Sequence, residues 1–378
     1  MHAQQGALER RDRHLPMSAA MLIATVGLLS PNLPPSRSAS LRGGRVALSE
    51  LKPKPGDRPG NFVQPYTSAL GVSAAAILCG ELIPIPGSAD TAVPLLGRVA
   101  ACTSLPLLCT AFVVLRAAAK VGPPMLRTVP YQRLNLGVAV SSVSAVVVAP
   151  MPIISVIVAR AGSALLCLEI WSQGSEAKSG DPLAEITAVV KSVVASVRRA
   201  LTLLFGALPA RRRAASSLEG NGAGAVDATG PAGFAALFFA YCGLAVAALA
   251  APPAATAALW PAVAPGMGSA RTAVSTALLS AVCALSLGDV AASRQPSSTG
   301  DELRPWRWLN RALLASASAH VALQALAAGL SLRRGGLALA ASPLGASASA
   351  ALLGACASQL VHIATIALCA TQEQLFFS

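Results

Sequence analysis

Residues 181–213 read DPLAEITAVVKSVVASVRRALTLLFGALPARRR, and residues 214–233 continue as AASSLEGNGAGAVDATGPAG. This polar and basic stretch lies between two long apolar regions that carry very few charged residues. A soluble domain of this size keeps a polar surface along its whole length, which neither region provides. The pattern therefore predicts two membrane-embedded halves, residues 66–171 and 234–371, joined by a middle segment at residues 172–233.

The overall composition also favours a membrane protein. Hydrophobic residues make up 54% of the 378 residues and charged residues only 12%, about half the charged fraction of an ordinary soluble domain. The mean hydropathy is +0.61. The formal net charge is +13, but the basic residues lie between apolar runs and no nucleic-acid-binding motif is present. They therefore predict contacts with the lipid bilayer and no nucleic acid.

Apolar segments of suitable length predict an all-α, polytopic membrane protein with about eight transmembrane helices, in a range of six to eight. Residues 134–171 are too long for one crossing of about 30 Å of hydrocarbon, and Pro150 and Pro152 divide them into two spans. A re-entrant pair is the alternative there. The other candidate spans are residues 66–83, 97–119, 234–249, 272–287, 309–332 and 345–371, followed by a polar tail at 372–378.

The placement of basic residues predicts the orientation of these spans. With the mature N-terminus inside, the connections at residues 120–133 and 294–311 and the middle segment all lie inside. The connection at 294–311 is expected to be a polar loop that ends in two interfacial aromatic residues, Trp306 and Trp308. Only the pair Arg333 and Arg334 departs from the positive-inside rule.

Residues 1–51 have the composition of a cleavable targeting region. A basic segment precedes the apolar residues 17–29, and no acidic residue lies between Asp12 and Glu50. A signal peptide followed by a transit peptide has this composition, and the pair predicts import into a plastid membrane of a secondary alga. An ordinary secretory signal, with a secretory-pathway membrane as the destination, or a first membrane helix is the alternative. Residues 52–65 form a polar N-terminal tail.

The middle segment predicts an amphipathic helix. Apolar residues recur at three- and four-residue spacing from Leu183 to Leu208, opposite a polar face. Such a helix lies in the membrane interface, although packing on the protein's own membrane domain or on a membrane-protein partner is an alternative. Residues 214–233 have the composition of a linker. We expect anionic lipid headgroups to contact the basic residues of the helix and its C-terminal end: Lys191, Arg198, Arg199, Arg211, Arg212 and Arg213.

The two halves share short sequence motifs. Residues 87–93 read GSADTAV and residues 268–274 read GSARTAV; residues 126–135 read LRTVPYQRLN and residues 303–310 read LRPWRWLN. Each motif lies just before a candidate span. The matches predict an internal duplication into two parallel four-helix repeats, an arrangement that is common in transporters with a site between the halves.

Polar residues at membrane depth are the candidates for function, because burying them in lipid is costly. Two of the four histidines, His320 and His362, fall in the last two spans, at about 12–15 Å from the same side of the membrane. Ser316 and Gln324 lie four residues on either side of His320, and Ser358 lies four residues before His362. Facing imidazoles could ligate haem or chlorophyll, relay protons, or simply hydrogen-bond across the helix pair.

Three charged residues of the first half are expected to be buried at membrane depth: Glu81, Arg160 and Glu169. Arg160 lies well inside its span and requires a partner at that depth. Glu169 lies nine residues further along the same span and Glu81 lies in the first span, so Glu81 is the candidate counter-ion. A structural ion pair that stabilises the first half is one interpretation, and a gate or coupling site is the other.

No motif of an ATPase, dinucleotide-binding enzyme, serine hydrolase or zinc protease is present. The eight cysteines form no pair with metal-binding spacing. These features predict a protein without catalytic activity or a bound metal. We expect a transporter or channel-like carrier of a small solute or ion. The alternative is a structural or assembly subunit of an organelle membrane complex that binds pigment or haem through the histidines.

Overall fold

The computed structural model describes residues 62–82, 102–147, 154–174, 229–250, 267–293, 300–333 and 345–376. These residues are helical almost throughout and contain no β-strand, which confirms the all-α prediction. The targeting region, residues 175–228 of the middle segment and the motif at residues 87–93 lie outside the described residues. The helices are α1 (Val63–Leu82), α2 (Leu105–Val121), α3 (Pro123–Leu126), α4 (Val129–Val147), α5 (Ile154–Gly174), α6 (Thr229–Ala250), α7 (Met267–Ser293), α8 (Gly300–Arg333) and α9 (Gly345–Phe376).

Three of the described helices are long and apolar enough to cross a membrane. The segments are Gly230–Leu249 in α6, Ala273–Ala292 in α7 and Gly354–Glu373 in α9. Each is 20 residues long, which corresponds to about 30 Å of helix and matches the hydrocarbon core of a bilayer. Length and composition therefore support a membrane protein.

The apolar segment at residues 134–171 forms two helices. α4 ends at Val147 and α5 begins at Ile154, so Pro150 and Pro152 fall between the helices, where the missing backbone N–H of proline costs least. The two helices pack against each other.

The predicted polar loop before the seventh span is largely helical. α8 begins at Gly300 and includes Pro305 in its second turn. The helix forms there because Trp306 and Leu309 are buried in the core, so burial of their side chains compensates for the missing backbone hydrogen bond of proline. Trp306 is consequently not an interfacial residue, whereas Trp308 is 52% exposed.

The linker and the C-terminal tail are also shorter than predicted. α6 begins at Thr229, within the predicted linker, and α9 continues to Phe376. Gly230 and Gly233 are packing residues, because a Cβ atom at either position would collide with α9, at Gln372 and Leu368 respectively. The glycines allow α6 and α9 to approach closely.

The helices contact one another in the same way in both halves. In the first half α1 packs on α2 and α5, and α4 packs on α5 and α2. In the second half α6 packs on α7 and α9, and α8 packs on α9 and α7. Across the halves α7 packs on α4 and α8 packs on α2, with a smaller contact between α2 and α7. One continuous core of buried apolar side chains includes residues of both halves.

Candidate functional site

The structure brings His320 and His362 together. The rings of His320 on α8 and His362 on α9 are stacked, with centroids 4.2 Å apart and an angle of 17° between the planes. His320 is 1% exposed and His362 is 3% exposed. The helices are antiparallel here, since Gln324 contacts Ser358 on one side of the pair and Asn310 contacts Cys369 on the other.

The backbone of α9 sets the tautomer of His362. Its Nδ1 atom lies 2.7 Å from the carbonyl oxygen of Ser358. A carbonyl oxygen only accepts hydrogen bonds, so Nδ1 carries the hydrogen and donates it. In the neutral ring, Nε2 therefore carries the lone pair and is the atom that can accept a proton.

The polar residues predicted to line this site are buried with the histidines. Gln324 Nε2 lies 3.4 Å from the Ser358 hydroxyl oxygen, to which it donates. The hydroxyl group of Ser316 donates to the carbonyl oxygen of Thr103, at 2.9 Å, and so joins α8 to the segment that precedes α2. Small residues recur at every fourth position of α9 before His362, at Ala346, Ala350, Gly354 and Ser358. Ser358 and His362 are buried inside the protein, and the side chains of Ala346 and Ala350 lie outside what the structure describes.

Tyr241 of α6 completes the site and was not predicted from the sequence. Its ring meets the His362 ring edge to face, with centroids 5.6 Å apart. Its hydroxyl oxygen lies 2.9 Å from that of Thr365, and the Thr365 hydroxyl is 2.8 Å from the carbonyl oxygen of Val361. A tyrosine in a charge-free span was the available signal, because a buried phenol requires a hydrogen-bond partner.

The stacked rings do not fit a haem or a chlorophyll between them. Two imidazoles that hold one macrocycle ligate its metal through one ring nitrogen each, from opposite faces, so that their ring edges point at the metal and the macrocycle lies between them. Stacked rings in direct contact leave no such space. The ring centroids of His320 and His362 are 4.2 Å apart. This arrangement suits proton exchange or hydrogen bonding with a small solute and provides no place for a porphyrin between the rings.

The three charged residues predicted in the first half do not form one described cluster. Arg160 of α5 is 7% exposed, whereas Glu169 lies on an exposed part of the same helix. Glu81 lies in the last turn of α1, and its side chain is outside the described residues. α1 and α5 do pack together near Arg160, because the hydroxyl oxygens of Ser73 and Ser163 are 2.7 Å apart. The pairing of Arg160 with Glu81 stays a prediction.

An ion pair between the two halves was also missed. The Nη1 atom of Arg133 on α4 lies 2.5 and 2.6 Å from the two carboxylate oxygens of Asp289 on α7. The arginine side chain is almost fully buried. One α4 turn away, the side chain of Val282 fills the space that a Cβ atom at Gly137 would require. Arg133 lies at the end of the predicted connection at residues 120–133, and Asp289 lies just after the candidate span at residues 272–287. Opposite charges at neighbouring span ends were the available signal.

A second charged cluster joins α8 to the end of α9. Glu373 accepts from the Nε atoms of Arg307 and Arg311, at 2.8 and 2.7 Å, and Asn310 donates to Glu373 at 3.4 Å. The N-termini of α4 and α8 and the C-terminus of α9 thus gather at one end of the bundle, which we call the basic end. Tyr131 and Trp306 also lie there, with ring centroids 4.9 Å apart.

No family model, curated protein or solved structure matches this chain at a significant level.

Proposed function

We propose that the protein is a membrane carrier of a small solute or ion, in which His320 and His362 handle a proton or the solute. The observation that carries the proposal is the stacked, deeply buried imidazole pair and its polar surroundings on α6, α8 and α9. Polar groups at membrane depth are costly, and transporters use them for ion and substrate pathways.

The proposal includes eight transmembrane helices. The contacts between α4 and α7, between α6 and α9, and between α8 and α9 fit neighbouring antiparallel spans. Large apolar side chains are exposed on the outside of the bundle, where a bilayer would cover them. They are Val72, Leu78, Val113, Val121, Val147, Val158, Leu165, Val246, Leu326, Leu360 and Ile363.

An internal duplication is part of the same proposal. The four main helices of each half have the same set of neighbours, and the cross-contacts of α4 with α7 and of α8 with α2 correspond to each other. Tyr131 and Trp306 occupy matching positions in the two shared motifs and contact each other, as two copies of one residue do on a twofold axis. An even number of spans in each half would give parallel halves related by an axis along the membrane normal.

The geometry also supports a specific role for the histidines. Two imidazolium ions in face-to-face contact would repel each other strongly at low dielectric. The pair is therefore suited to accept one proton at a time, with His362 Nε2 as an acceptor. Protonation would add a charge to an apolar helix pair and so alter the contact between α8 and α9. This change would couple the proton to movement of a solute.

Proton movement in proteoliposomes tests the proposal. We would reconstitute the full-length protein with a pH-sensitive dye inside and add a panel of sugars, amino acids, carboxylates and inorganic ions outside. We expect at least one solute to accelerate proton entry and the variants His320→Gln and His362→Gln to reduce that rate at least about tenfold. Ser318→Ala, an exposed position on α8, is the matched control and should behave as the unchanged protein.

The second candidate function is an assembly subunit of a membrane complex. The close fit between the two halves favours it. Val282 packs directly on Gly137, and the Arg133–Asp289 pair ties the same two helices. Folded protein that moves no solute and no protons across the panel would contradict the carrier proposal and favour the subunit. The purified protein could also show an absorption band in the visible region. Loss of such a band in the His320 or His362 variants would likewise contradict the carrier proposal and favour the subunit.

A further inference from the structure

The exposed face at the start of α8 carries three arginines and a tryptophan. Arg304, Arg307, Trp308 and Arg311 have the spacing that places side chains on one side of a helix. Trp308 is 52% exposed, and the side chains of Arg307 and Arg311 are 40% and 45% exposed. Arg304 is exposed as well. We call these four residues the α8 basic face.

Two of the arginines are held in place by one carboxylate. Glu373 binds the Nε atoms of both Arg307 and Arg311, and Arg311 Nη2 also lies 2.7 Å from it. The guanidinium carbon of Arg311 lies 5.6 Å from the centre of the Trp308 ring, in a cation–π arrangement. Because these long side chains are already fixed, a ligand that binds them loses less free energy to side-chain ordering.

The charge balance of the face favours an anionic ligand. Three arginines outnumber the carboxylate of Glu373 and that of Asp301, which lies three residues before Arg304, so the face keeps an excess of positive charge. Asp301 and Glu302 precede it in the first turn of α8, farther from the membrane in the proposed topology. Guanidinium groups match the geometry of a phosphate, and exposed tryptophan is enriched at the level of lipid headgroups.

We propose that the α8 basic face binds the phosphate headgroup of an anionic phospholipid at the basic end of the bundle. The phosphate contacts Arg304 and Arg311, while the Trp308 ring lies at the boundary between headgroups and hydrocarbon. Binding at this position stabilises the contact between α8 and α9 through Glu373. The site is separate from the histidine pair and does not depend on the carrier function.

The test uses the full-length protein in a non-ionic detergent. We would measure its thermal unfolding with added phosphatidylglycerol, phosphatidylcholine or inorganic phosphate, and count bound lipids by native mass spectrometry. We expect phosphatidylglycerol to raise the Tm more than phosphatidylcholine does, and inorganic phosphate to have little effect. Arg304→Gln should weaken phosphatidylglycerol binding about fivefold, since one basic residue near an anionic surface contributes about this much.

Two further variants make the outcome decisive. Arg304→Gln/Trp308→Ala should remove most of the lipid-dependent rise in Tm, while Glu373 and the two arginines that bind it stay unsubstituted and keep their ion pairs. Lys120→Gln removes one exposed basic residue in the last turn of α2 and should leave the rise unchanged. Equal stabilisation by the two lipids, equal stabilisation by inorganic phosphate, or an unchanged rise in Arg304→Gln/Trp308→Ala would each overturn the proposal.

Discussion

At the scale of single residues, the histidine pair combines structural and chemical features that can be separated by mutation. The Nδ1 hydrogen bond of His362 goes to the carbonyl oxygen of Ser358, which also lies four residues earlier in the same helix. That carbonyl keeps its helical N–H partner when the imidazole is replaced. The stacking and the edge-to-face contact with Tyr241 depend on a flat ring, whereas proton transfer depends on Nε2.

His362→Phe should therefore preserve the fold and abolish the function. A phenyl ring keeps the stacking, and the Ser358 carbonyl keeps its helical partner, so we expect the free energy of unfolding to change by less than about 1.5 kcal/mol. Solute-dependent proton entry should fall to the background of empty liposomes. Thermal unfolding and the proteoliposome assay on one preparation check both parts. Full activity in His362→Phe would show that the ring nitrogens are not used.

At the scale of helices, the seam between α4 and α7 depends on the absence of a side chain at one position. The side chain of Val282 occupies the space that a Cβ atom at Gly137 would need. At Gly71, by contrast, nothing lies within 4 Å of where a Cβ atom would be. Small residues allow helices in a bilayer to approach closely, and van der Waals contact is the main attraction between them. The two glycines are therefore predicted to respond in opposite ways to the same substitution.

Gly137→Ala should destabilise the protein by about 1–3 kcal/mol, because it overpacks the seam. Gly71→Ala is the matched control and should be neutral or stabilising, since alanine favours helix over glycine by about 1 kcal/mol. Thermal unfolding in detergent measures both. Adding Val282→Ala to Gly137→Ala should restore part of the lost stability, and a failure to do so would mean that the seam relaxes in another way.

At the scale of the whole molecule, the Arg133–Asp289 ion pair connects the two halves at the basic end. Removing one partner leaves a charge in a mainly apolar seam, which costs about 3–5 kcal/mol when the pair is fully buried. Asp289 retains some exposure, so we expect Arg133→Leu to cost about 2 kcal/mol. The double variant Arg133→Leu/Asp289→Leu should be more stable than Arg133→Leu alone.

A double-mutant cycle of thermal unfolding measures this coupling between the halves. If the changes in unfolding free energy caused by the two single variants are additive, the ion pair contributes nothing to the interface. In the carrier proposal, the same cycle run on proton entry indicates whether the pair also acts as a gate. A faster rate in Arg133→Leu is then the expected result, because the halves separate more easily at this end.

Local sequence pattern was sufficient for the helical class, for the division of residues 134–171 at its prolines and for the meeting of His320 with His362. The last result follows from counting residues along two successive spans, since antiparallel neighbours place equal depths side by side. Polar composition gave the wrong boundary at the start of α8 and at the end of α9. There, burial of Trp306 and the contact of Glu373 with two arginines extend helices into sequence that is polar by composition.

The sequence by itself determined that the chain is helical and that some of its helices are long and apolar enough to cross a membrane, because hydropathy and helical period are local properties of the chain. Only the tertiary structure decided that Tyr241 meets His362, that Arg133 binds Asp289 and that Gly230, Gly233 and Gly137 are packing positions. Each of these contacts depends on which helices are neighbours. Apolar spans joined by short connections can pack in several orders, so neighbours follow from the shape and volume of whole helix faces rather than from any one segment.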